Sequence, residues 1–401
     1  MKRALFISLL AVVCQGVMAQ QFYTTQNFEH AIRFFNKPNE RREIILPTID
    51  GYTLYRADFH THTIYSDGDV TPRQRVREAW YDGLDIVAIT DHLEIRTYEK
   101  FMLKVLAPYN KTDEPFKYEH AGIANKKDKN APVLANLNAA YDEAVYYTER
   151  ENLPIMVVRG TEIWRNTKSI GEFNALFLKD INAICHPDLF ESFRRVKEQG
   201  GLIMHNHPGW RRKNLDISEL EQKAYDAKLI DGIEVMNSSE FYPRAITRAL
   251  KDGFFMASNT DIHGSTVEDY RITSGGLFRD MTLILAKDKS LPSLKEALKA
   301  RRTLAYAFGT IAGEESLLKD FFKASVKAKV VYTNASNGSR TVSLTNNTSF
   351  SYTIRIGAGN PINLDAFSTI NTSVAKDAKL VVKVENMWSG EDSHPEVELV
   401  F

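Results

Sequence analysis

The segment DFHTHTIYSDG, residues 58–68, decides how the rest of the sequence is interpreted. Residues 52–59 are rich in apolar and aromatic side chains, and they predict a β-strand that ends at His60. Successive side chains on a strand point to opposite faces, so His60 and His62 face the same way. Two imidazoles on one face can bind one metal ion. Asp67 follows at a turn, where it is either a further ligand or a cap of that turn.

The same order of strand, polar residues and helix recurs along the chain. Helices are predicted to begin near residues 72, 187, 243 and 292. Further strands are predicted at residues 85–90, 154–158, 202–204, 233–236, 254–258, 281–286 and 304–307. Strands that alternate with helices indicate a parallel sheet. About seven repeats favour closure into an α/β barrel, with an open doubly wound sheet as the alternative.

Ionisable side chains fall at or just after the C-terminal ends of these predicted strands. Beyond the first strand they are Asp91, His92, Glu162, His205, His207, Asp261 and His263. In an α/β barrel this rim carries the active site. Carboxylates and imidazoles together suit zinc, manganese or iron, and the set contains no cysteine. The sequence therefore predicts a metal centre at the rim.

The charge balance argues against a nucleic-acid-binding protein. The chain has 401 residues, and its 51 lysines and arginines match its 51 aspartates and glutamates, for a net charge of +0. Nucleic-acid-binding domains usually carry a basic excess. A chain of this length, 43% hydrophobic, can bury a large core, and its length favours two domains.

The N-terminus has the pattern of a secretory signal peptide. A basic start at residues 1–3 precedes the apolar residues 4–13, and small residues lead to Ala19. We expect residues 1–19 to be removed and the protein to be exported, to the periplasm or the medium. Cys14 raises a lipoprotein as an alternative, but Val13 before it fits a lipobox poorly. No other run reaches the length of about 20 apolar residues that a membrane span needs.

Near residue 320 the pattern changes to alternation of period two. Apolar residues alternate with Asn, Ser, Thr and Lys from Val326 onward. This predicts a small antiparallel domain, sandwich-like, over residues 321–401. It lacks clustered His, Asp or Glu in its sequence, so we expect a packing or docking module. Residues 20–320 are then assigned to the barrel.

Five motifs in a fixed order resemble the PHP superfamily of metal-dependent phosphoesterases, which includes histidinol phosphatases and domains attached to bacterial replicative polymerases. The motifs are HTHTIYSDG, ITDH, RGTE, HNHPGW and NTDIHG. Each is weak alone, and their ordered set at strand ends carries the resemblance, which covers about residues 55–310. It implies a distorted (β/α)7 barrel with up to three metal ions on its C-terminal rim.

The resemblance also implies roles for individual residues. His60 and His62 match the paired ligands of a first ion, which Asp261 completes. Glu162 matches the carboxylate that bridges this ion to a second, and His207 matches a histidine ligand of the second. A third ion has ligands that match Asp67, His92 and His263.

One position departs from the family pattern. Family members usually have another histidine in the strand after the Glu162 loop, and Asn174 stands there. An amide oxygen is a weaker ligand than an imidazole. We therefore expect two to three divalent ions, with Asn174 a weak ligand of the second site or His205 in its place.

The expected activity is hydrolysis of a phosphate mono- or diester on a small substrate, through a hydroxide that bridges two metal ions. Asp91 and His205 are candidates for orienting ligands or transferring protons. Arg211 and Arg212 are candidates for holding the phosphate, or they form a solvated surface run. The alternatives are a metal-dependent hydrolase of an amide or lactone, and a binding protein for phosphorylated ligands, which Asn174 favours.

Overall fold

The computed structural model describes residues 41–95, 136–163, 171–212, 214–270 and 278–401, together with the backbone of two short strands between the first two ranges. The predicted signal peptide, residues 1–19, lies outside the described residues. Residues Arg42–Phe401 form one compact unit. Within the described ranges, no helix combines the length and the apolar character that a membrane crossing requires.

The barrel region contains strands and helices that are numbered here along the chain. Its described strands are β1 (Thr53–Asp58), β2 (Ile86–Ile89), β3 (Lys117–Tyr118), β4 (Val133–Leu134), β5 (Met156–Ile163), β6 (Phe173–Leu176), β7 (Leu202–His205), β8 (Gly232–Asn237), β9 (Glu240–Phe241), β10 (Phe255–Asn259), β11 (Met281–Ala286), β12 (Thr303–Ala307) and β13 (Thr310–Gly313). Its described helices are α1 (Pro72–Tyr81), α2 (Ala139–Arg150), α3 (Leu189–Glu198), α4 (Glu219–Asp226), α5 (Pro243–Asp252), α6 (Thr266–Tyr270) and α7 (Leu291–Lys299).

Local sequence sets where these helices begin and end. The Thr71 side chain accepts a hydrogen bond from the backbone N–H of Gln74, and Pro72 occupies the first helical position of α1. Helix α5 stops at Gly253, which has a φ of 79°, a left-handed conformation that glycine adopts without strain. The predicted helices near residues 72 and 243 are therefore confirmed.

One curled 12-stranded sheet forms the barrel wall, with the order β10-β8-β7-β6-β5-β2-β1-β11-β12-β13 and then a C-terminal strand. Strands β1, β2, β5, β7, β8 and β10 run parallel to one another, whereas β6 and β11 run antiparallel to their neighbours. The parallel sheet predicted from the sequence is therefore wrong at β6 and at β11. A parallel neighbour needs a crossover of a dozen or more residues, and only residues 164–172 separate β5 from β6.

The sheet curls until β10 meets β11 and β12 through side-chain hydrogen bonds. The backbone N–H of Met256 donates to Thr303 Oγ1 at 3.2 Å, and that of Ser258 donates to Thr282 Oγ1 at 3.1 Å. Apolar side chains that include Phe59, Met204 and Phe255 form a buried cluster inside. The predicted distorted α/β barrel is confirmed, and the alternative of an open doubly wound sheet is wrong.

The C-terminal region is a two-sheet module, as predicted. Helix α8 (Glu315–Ser325) leads directly into its first strand. The module's strands are β14 (Val326–Thr333), β15 (Arg340–Asn346), β16 (Tyr352–Ile356), β17 (Ile362–Leu364), β18 (Thr369–Val374), β19 (Leu380–Val384), β20 (Met387–Trp388) and β21 (Glu396–Leu399). A 3-stranded sheet has the order β14-β15-β18, and a 4-stranded sheet has the order β17-β16-β19-β21. Strand β20 instead pairs with β13 of the barrel sheet.

The hydrophobic core continues from the barrel into this module. The rings of Tyr306 and Phe350 stack with centroids 4.2 Å apart, and those of Phe322 and Tyr352 meet edge to face at 5.1 Å. All four side chains are buried. The two regions therefore share one core, and we expect them to unfold together.

Replacing Phe350 with alanine tests this shared core. We expect Phe350→Ala to lower the free energy of unfolding by about 3–5 kcal/mol, because it removes a fully buried ring that contacts both regions. Denaturant unfolding measures this value. Tyr332→Ala, at a residue 61% exposed in the same module, is the control and should change it by less than about 0.5 kcal/mol. Two separate unfolding transitions in the wild-type protein would contradict the shared core.

Candidate metal centre

The C-terminal rim of the barrel collects imidazoles and carboxylates from six strand ends. They form three overlapping groups whose ligand atoms lie within 4.8 Å of one another. The first group contains His60, His62, Glu162 and Asp261, the second contains His62, Asp67, His92 and His263, and the third contains Glu162, Glu172 and His207. The eight His, Asp and Glu residues that match family ligands all belong to one of these groups, whereas His205, the alternative to Asn174 as a ligand, does not.

The first group converges on the two histidines of the opening motif. His60 Nε2 lies 3.2 Å from Glu162 Oε2 and 3.1 Å from Asp261 Oδ1, and His62 Nε2 lies 3.2 and 3.0 Å from the same two oxygens. Both Nε2 atoms are buried and lack a hydrogen bond among the described residues. Nitrogens and oxygens that crowd together without hydrogen-bonding geometry fit a shared cation.

The second group depends on a tight turn after His62. Asp67 Oδ1 lies 3.6 Å from His62 Nδ1 and 3.4 Å from His263 Nε2, and its Oδ2 lies 3.5 Å from His92 Nε2. A Cβ at Gly68 would stand 2.8 Å from the backbone carbon of His62, so only glycine allows this close return. The turn therefore aims Asp67 back at the histidines, which supports the ligand interpretation over that of a turn cap.

The third group includes a residue that the sequence analysis missed. His207 Nε2 lies 3.5 Å from Glu162 Oε1 and 3.3 Å from Glu172 Oε2. Because β6 runs antiparallel, its beginning rather than its end lies at the rim. Glu172, directly before β6, therefore reaches the site. Glu172 and Asn174 are two residues apart, and this spacing on one face of a strand is the signal that could have suggested Glu172.

Asn174 lies deeper in the barrel than Glu172. It is fully buried, its Nδ2 donates to the backbone oxygen of Phe59 at 2.9 Å, and its Oδ1 lacks a hydrogen bond within the described part of the chain. Its role as a weak ligand stays a prediction. The third group already has a second carboxylate, that of Glu172, and does not depend on the Asn174 amide.

Glu234 is a second residue that the sequence analysis missed. Its Oε1 lies 3.0 Å from His60 Nδ1, and its Oε2 accepts a hydrogen bond from the backbone N–H of His207 at 2.7 Å. One buried carboxylate thus orients histidines of two groups, and it fixes which nitrogen of His60 faces the centre. The available signal was an acid inside the apolar strand β8, where an unpaired charge would be costly.

Asp91 acts on the loop that carries His62 and Asp67. Its Oδ1 accepts hydrogen bonds from the backbone N–H of Thr63 and from Ser66 Oγ, both at 2.7 Å, and its Oδ2 accepts one from Thr63 Oγ1 at 2.7 Å. Ser66 Oγ in turn lies 3.3 Å from His62 Nδ1. Of the two roles expected for Asp91, orienting ligands and transferring protons, these contacts support the first.

His205 is outside the cluster, which corrects its prediction as a ligand or proton-transfer residue. Its Nδ1 lies 2.6 Å from the Tyr225 hydroxyl and its Nε2 lies 3.1 Å from Glu221 Oε1, both on helix α4. Its ring stacks on Phe173 at 4.9 Å in the layer between the sheet and the helices. His205 therefore supports the packing of α4.

The predicted phosphate contacts differ between the two arginines. Arg212 donates from both terminal nitrogens to buried Glu221, at 2.9 and 2.5 Å, so its charge is already paired. This pairing argues against a phosphate-binding role for Arg212, which stays a prediction. Arg211 is exposed, with its guanidinium 5.4 Å from the centre of the Trp210 ring. Its contact with phosphate stays a prediction.

The electrostatics of the rim favour the binding of cations. Burial lowers the pKa of His62, but the nearby carboxylates of Asp261 and Glu162 outweigh it and raise that pKa to about 10. The same balance raises the pKa of His60 and of His207 well above the usual value. The neighbouring carboxylates thus favour the protonated form of these imidazoles, and a divalent ion would take the place of the protons. The carboxylates are those of Glu162, Glu172, Glu234 and Asp261.

The stability of the metal-free protein should consequently fall with rising pH, whereas the stabilisation added by a bound metal ion should grow. His62 has a folded pKa of about 10 against 6.5 unfolded, so its stabilisation is complete below pH 6.5 and is lost as the pH rises towards 10. The carboxylates stay ionised over this range. We expect the Tm of chelator-treated protein to fall across it, and the gain in Tm on adding Mn²⁺ or Zn²⁺ to grow. A gain that shrinks with rising pH would contradict this cluster as the binding site.

Glu172 can be tested separately from Asn174. We expect Glu172→Gln to weaken the third group, lowering the affinity for the most weakly bound ion by at least about tenfold. Metal analysis after dialysis and calorimetric titration measure this change, with Glu198→Gln on α3 as the matched control. Unchanged metal binding in Glu172→Gln would refute the assignment. Loss in Asn174→Ala would instead support the amide as a ligand.

Comparisons with known proteins agree with this architecture. A model of the PHP domain family matches residues 58–299. A crystal structure from Bacteroides vulgatus, of a two-domain protein containing a predicted PHP-like metal-dependent phosphoesterase, superposes with a TM-score of 0.77 and 29% identity, covering 91% of this chain and 100% of that chain.

Two uncharacterized proteins of Methanocaldococcus jannaschii are similar over shorter stretches. One is 26% identical over 149 residues, 36% of this chain, and this match spans 64% of that relative's length. The other is 28% identical over 195 residues, covering 46% of this chain and 82% of the relative. The family model covers more than half of the chain, and the two-domain structure extends the likeness to the C-terminal module. The chain therefore belongs to the PHP domain family and has the fold of a PHP-like metal-dependent phosphoesterase.

Proposed function

We propose that the protein is a phosphoric ester hydrolase that acts on a small phosphorylated substrate with two or three divalent ions. The position of Glu162 carries this proposal. Its Oε2 faces His60, His62 and His92, and its Oε1 faces His207. A carboxylate between two ligand groups is the arrangement that holds two ions side by side.

Divalent ions held there, with zinc, manganese and iron all suited to the donor set, would bind phosphate oxygens and lower the pKa of a water molecule towards 7. Oxygen from water forms the new bond to phosphorus, the bond from phosphorus to the alcohol oxygen breaks, and the alcohol leaves with a proton. The chain's own part is to fix geometry: Glu234 and Asp91 hold the imidazoles of His60 and His62 in place.

The open side of the cluster indicates where the substrate enters. The side chains of Asp67 and His263 are 29% and 39% exposed, whereas those of His60 and His62 are wholly buried. A phosphate group therefore approaches from the side of the second group. Exposed Arg211 is the arginine proposed to steer it.

Export of the protein is part of this proposal. The basic and apolar pattern of residues 1–19 supports it. Cell fractionation tests this, since the mature chain should begin after Ala19 and be found outside the cytoplasm. A full-length chain in the cytoplasm would refute it.

Hydrolysis assays on defined esters test the main proposal. We expect metal-loaded protein to cleave p-nitrophenyl phosphate or its bis(p-nitrophenyl) diester, and His60→Ala and His62→Ala to lose metal and about 100-fold or more in kcat/KM. His186→Ala, outside the cluster, is the matched control. Bound metal without turnover of either ester would favour the binding protein. Turnover of an amide or lactone alone would favour the other hydrolase.

A further inference from the structure

A cavity of about 480 Å³ lies where the barrel meets the C-terminal module, next to the loop that follows His207. The barrel lines it with Gly209, Phe241 and Arg244, and the module lines it with Trp388 and Asp392. Gly209 is two residues after His207, so their Cα atoms are at most about 7.6 Å apart. We call this space the Trp388 cavity.

The module holds Trp388 firmly at this place. Trp388 belongs to β20, which pairs with Ile311 and Ala312 of β13. Asn386 strengthens the junction, because its Nδ2 donates to the backbone oxygen of Gly309 at 2.7 Å and its backbone oxygen accepts from the N–H of Ile311 at 3.0 Å. The cavity wall is therefore part of the barrel sheet and not a loose appendage.

The lining of the Trp388 cavity is aromatic and polar without an excess of positive charge. The rings of Phe241 and Trp388 meet at 5.2 Å and 78°. Arg212, at the edge of the cavity, is paired with Glu221, and Arg244 lies 3.5 Å from Glu391. The exposed carboxylate of Asp392 adds negative charge. A second phosphate group would be repelled here.

Resting on the proposed function, we propose that the Trp388 cavity binds the alcohol half of the substrate and that this half is a sugar ring. A sugar has an apolar face that packs on aromatic rings and hydroxyl groups that donate to carboxylates and amide oxygens. The cavity offers both, and its volume is in the range of small-molecule sites. The C-terminal module thus contributes to substrate specificity.

Kinetics with esters of different alcohols test this assignment. The esters are glucose 1-phosphate, ribose 5-phosphate, phenyl phosphate, hexyl phosphate and methyl phosphate. We expect kcat/KM for at least one sugar phosphate to exceed that for methyl phosphate tenfold or more. Trp388→Ala should remove this preference by raising KM, and Asp392→Asn should reduce it several-fold. Neither should alter kcat/KM for methyl phosphate or inhibition by inorganic phosphate more than twofold.

The controls separate this inference from the proposed function. Tyr332→Ala, in the same module but away from the cavity, should keep the preference. Three results would overturn the sugar assignment without contradicting the proposed hydrolase. They are equal turnover of all esters, a preference for phenyl or hexyl phosphate, and an equal loss of kcat/KM on methyl phosphate in Trp388→Ala. If no ester is cleaved, the hydrolase fails. Calorimetric titration with the two sugar phosphates then tests the cavity alone. Binding to the wild-type protein that is lost in Trp388→Ala supports the sugar assignment, and no binding to the wild-type protein overturns it.

Discussion

The buried carboxylate of Glu162 is the constraint on which the site depends. It lies 3.2 Å from nitrogens of His60, His62 and His92 through one oxygen and 3.5 Å from His207 through the other. Burial would raise its pKa, but attraction to His60 and His92 lowers it well below the usual value, so the group stays ionised. A buried charge is costly unless it is compensated. The buried charge of Glu162 is therefore compensated by the histidines from the other strand ends.

The sequence predicts which side chains point into this cluster where the backbone stays extended, and it fails where the backbone turns. His60 and His62 face one way because Thr61 between them pairs with Ile262 and continues the strand pattern beyond β1. The same two-residue spacing misleads at His205 and His207. Strand β7 ends at His205, and His207 has a φ of 20°, so alternation no longer holds.

The remaining differences come from long-range pairing that local patterns do not encode. The direction of β6 decides that Glu172 and not Asn174 lies at the rim. Glu234 orients His60, which lies 174 residues away along the chain. Barrel, module and most ligand-bearing strand ends were predictable from period and order. The carboxylates that support these ligands were not predictable, because the sequence around a buried acid does not indicate which distant residue it will contact.

Two fully buried arginines show how the loops beneath the centre are set before any ion binds. Arg75 donates to the backbone oxygens of His62 and Gly264, both at 2.9 Å, and so ties the loop after β1 to the loop after β10. Burial lowers its pKa to about 10, which still leaves it charged at neutral pH. Arg279 bridges Asp58, at the end of β1, to Asp82. Arg75 holds backbone oxygens and Arg279 holds Asp58 and Asp82, which lie outside the three ligand groups, so these cations fix the loops without neutralising the ligand carboxylates. The centre therefore keeps its negative charge for the metal, and its geometry is preorganised by the fold.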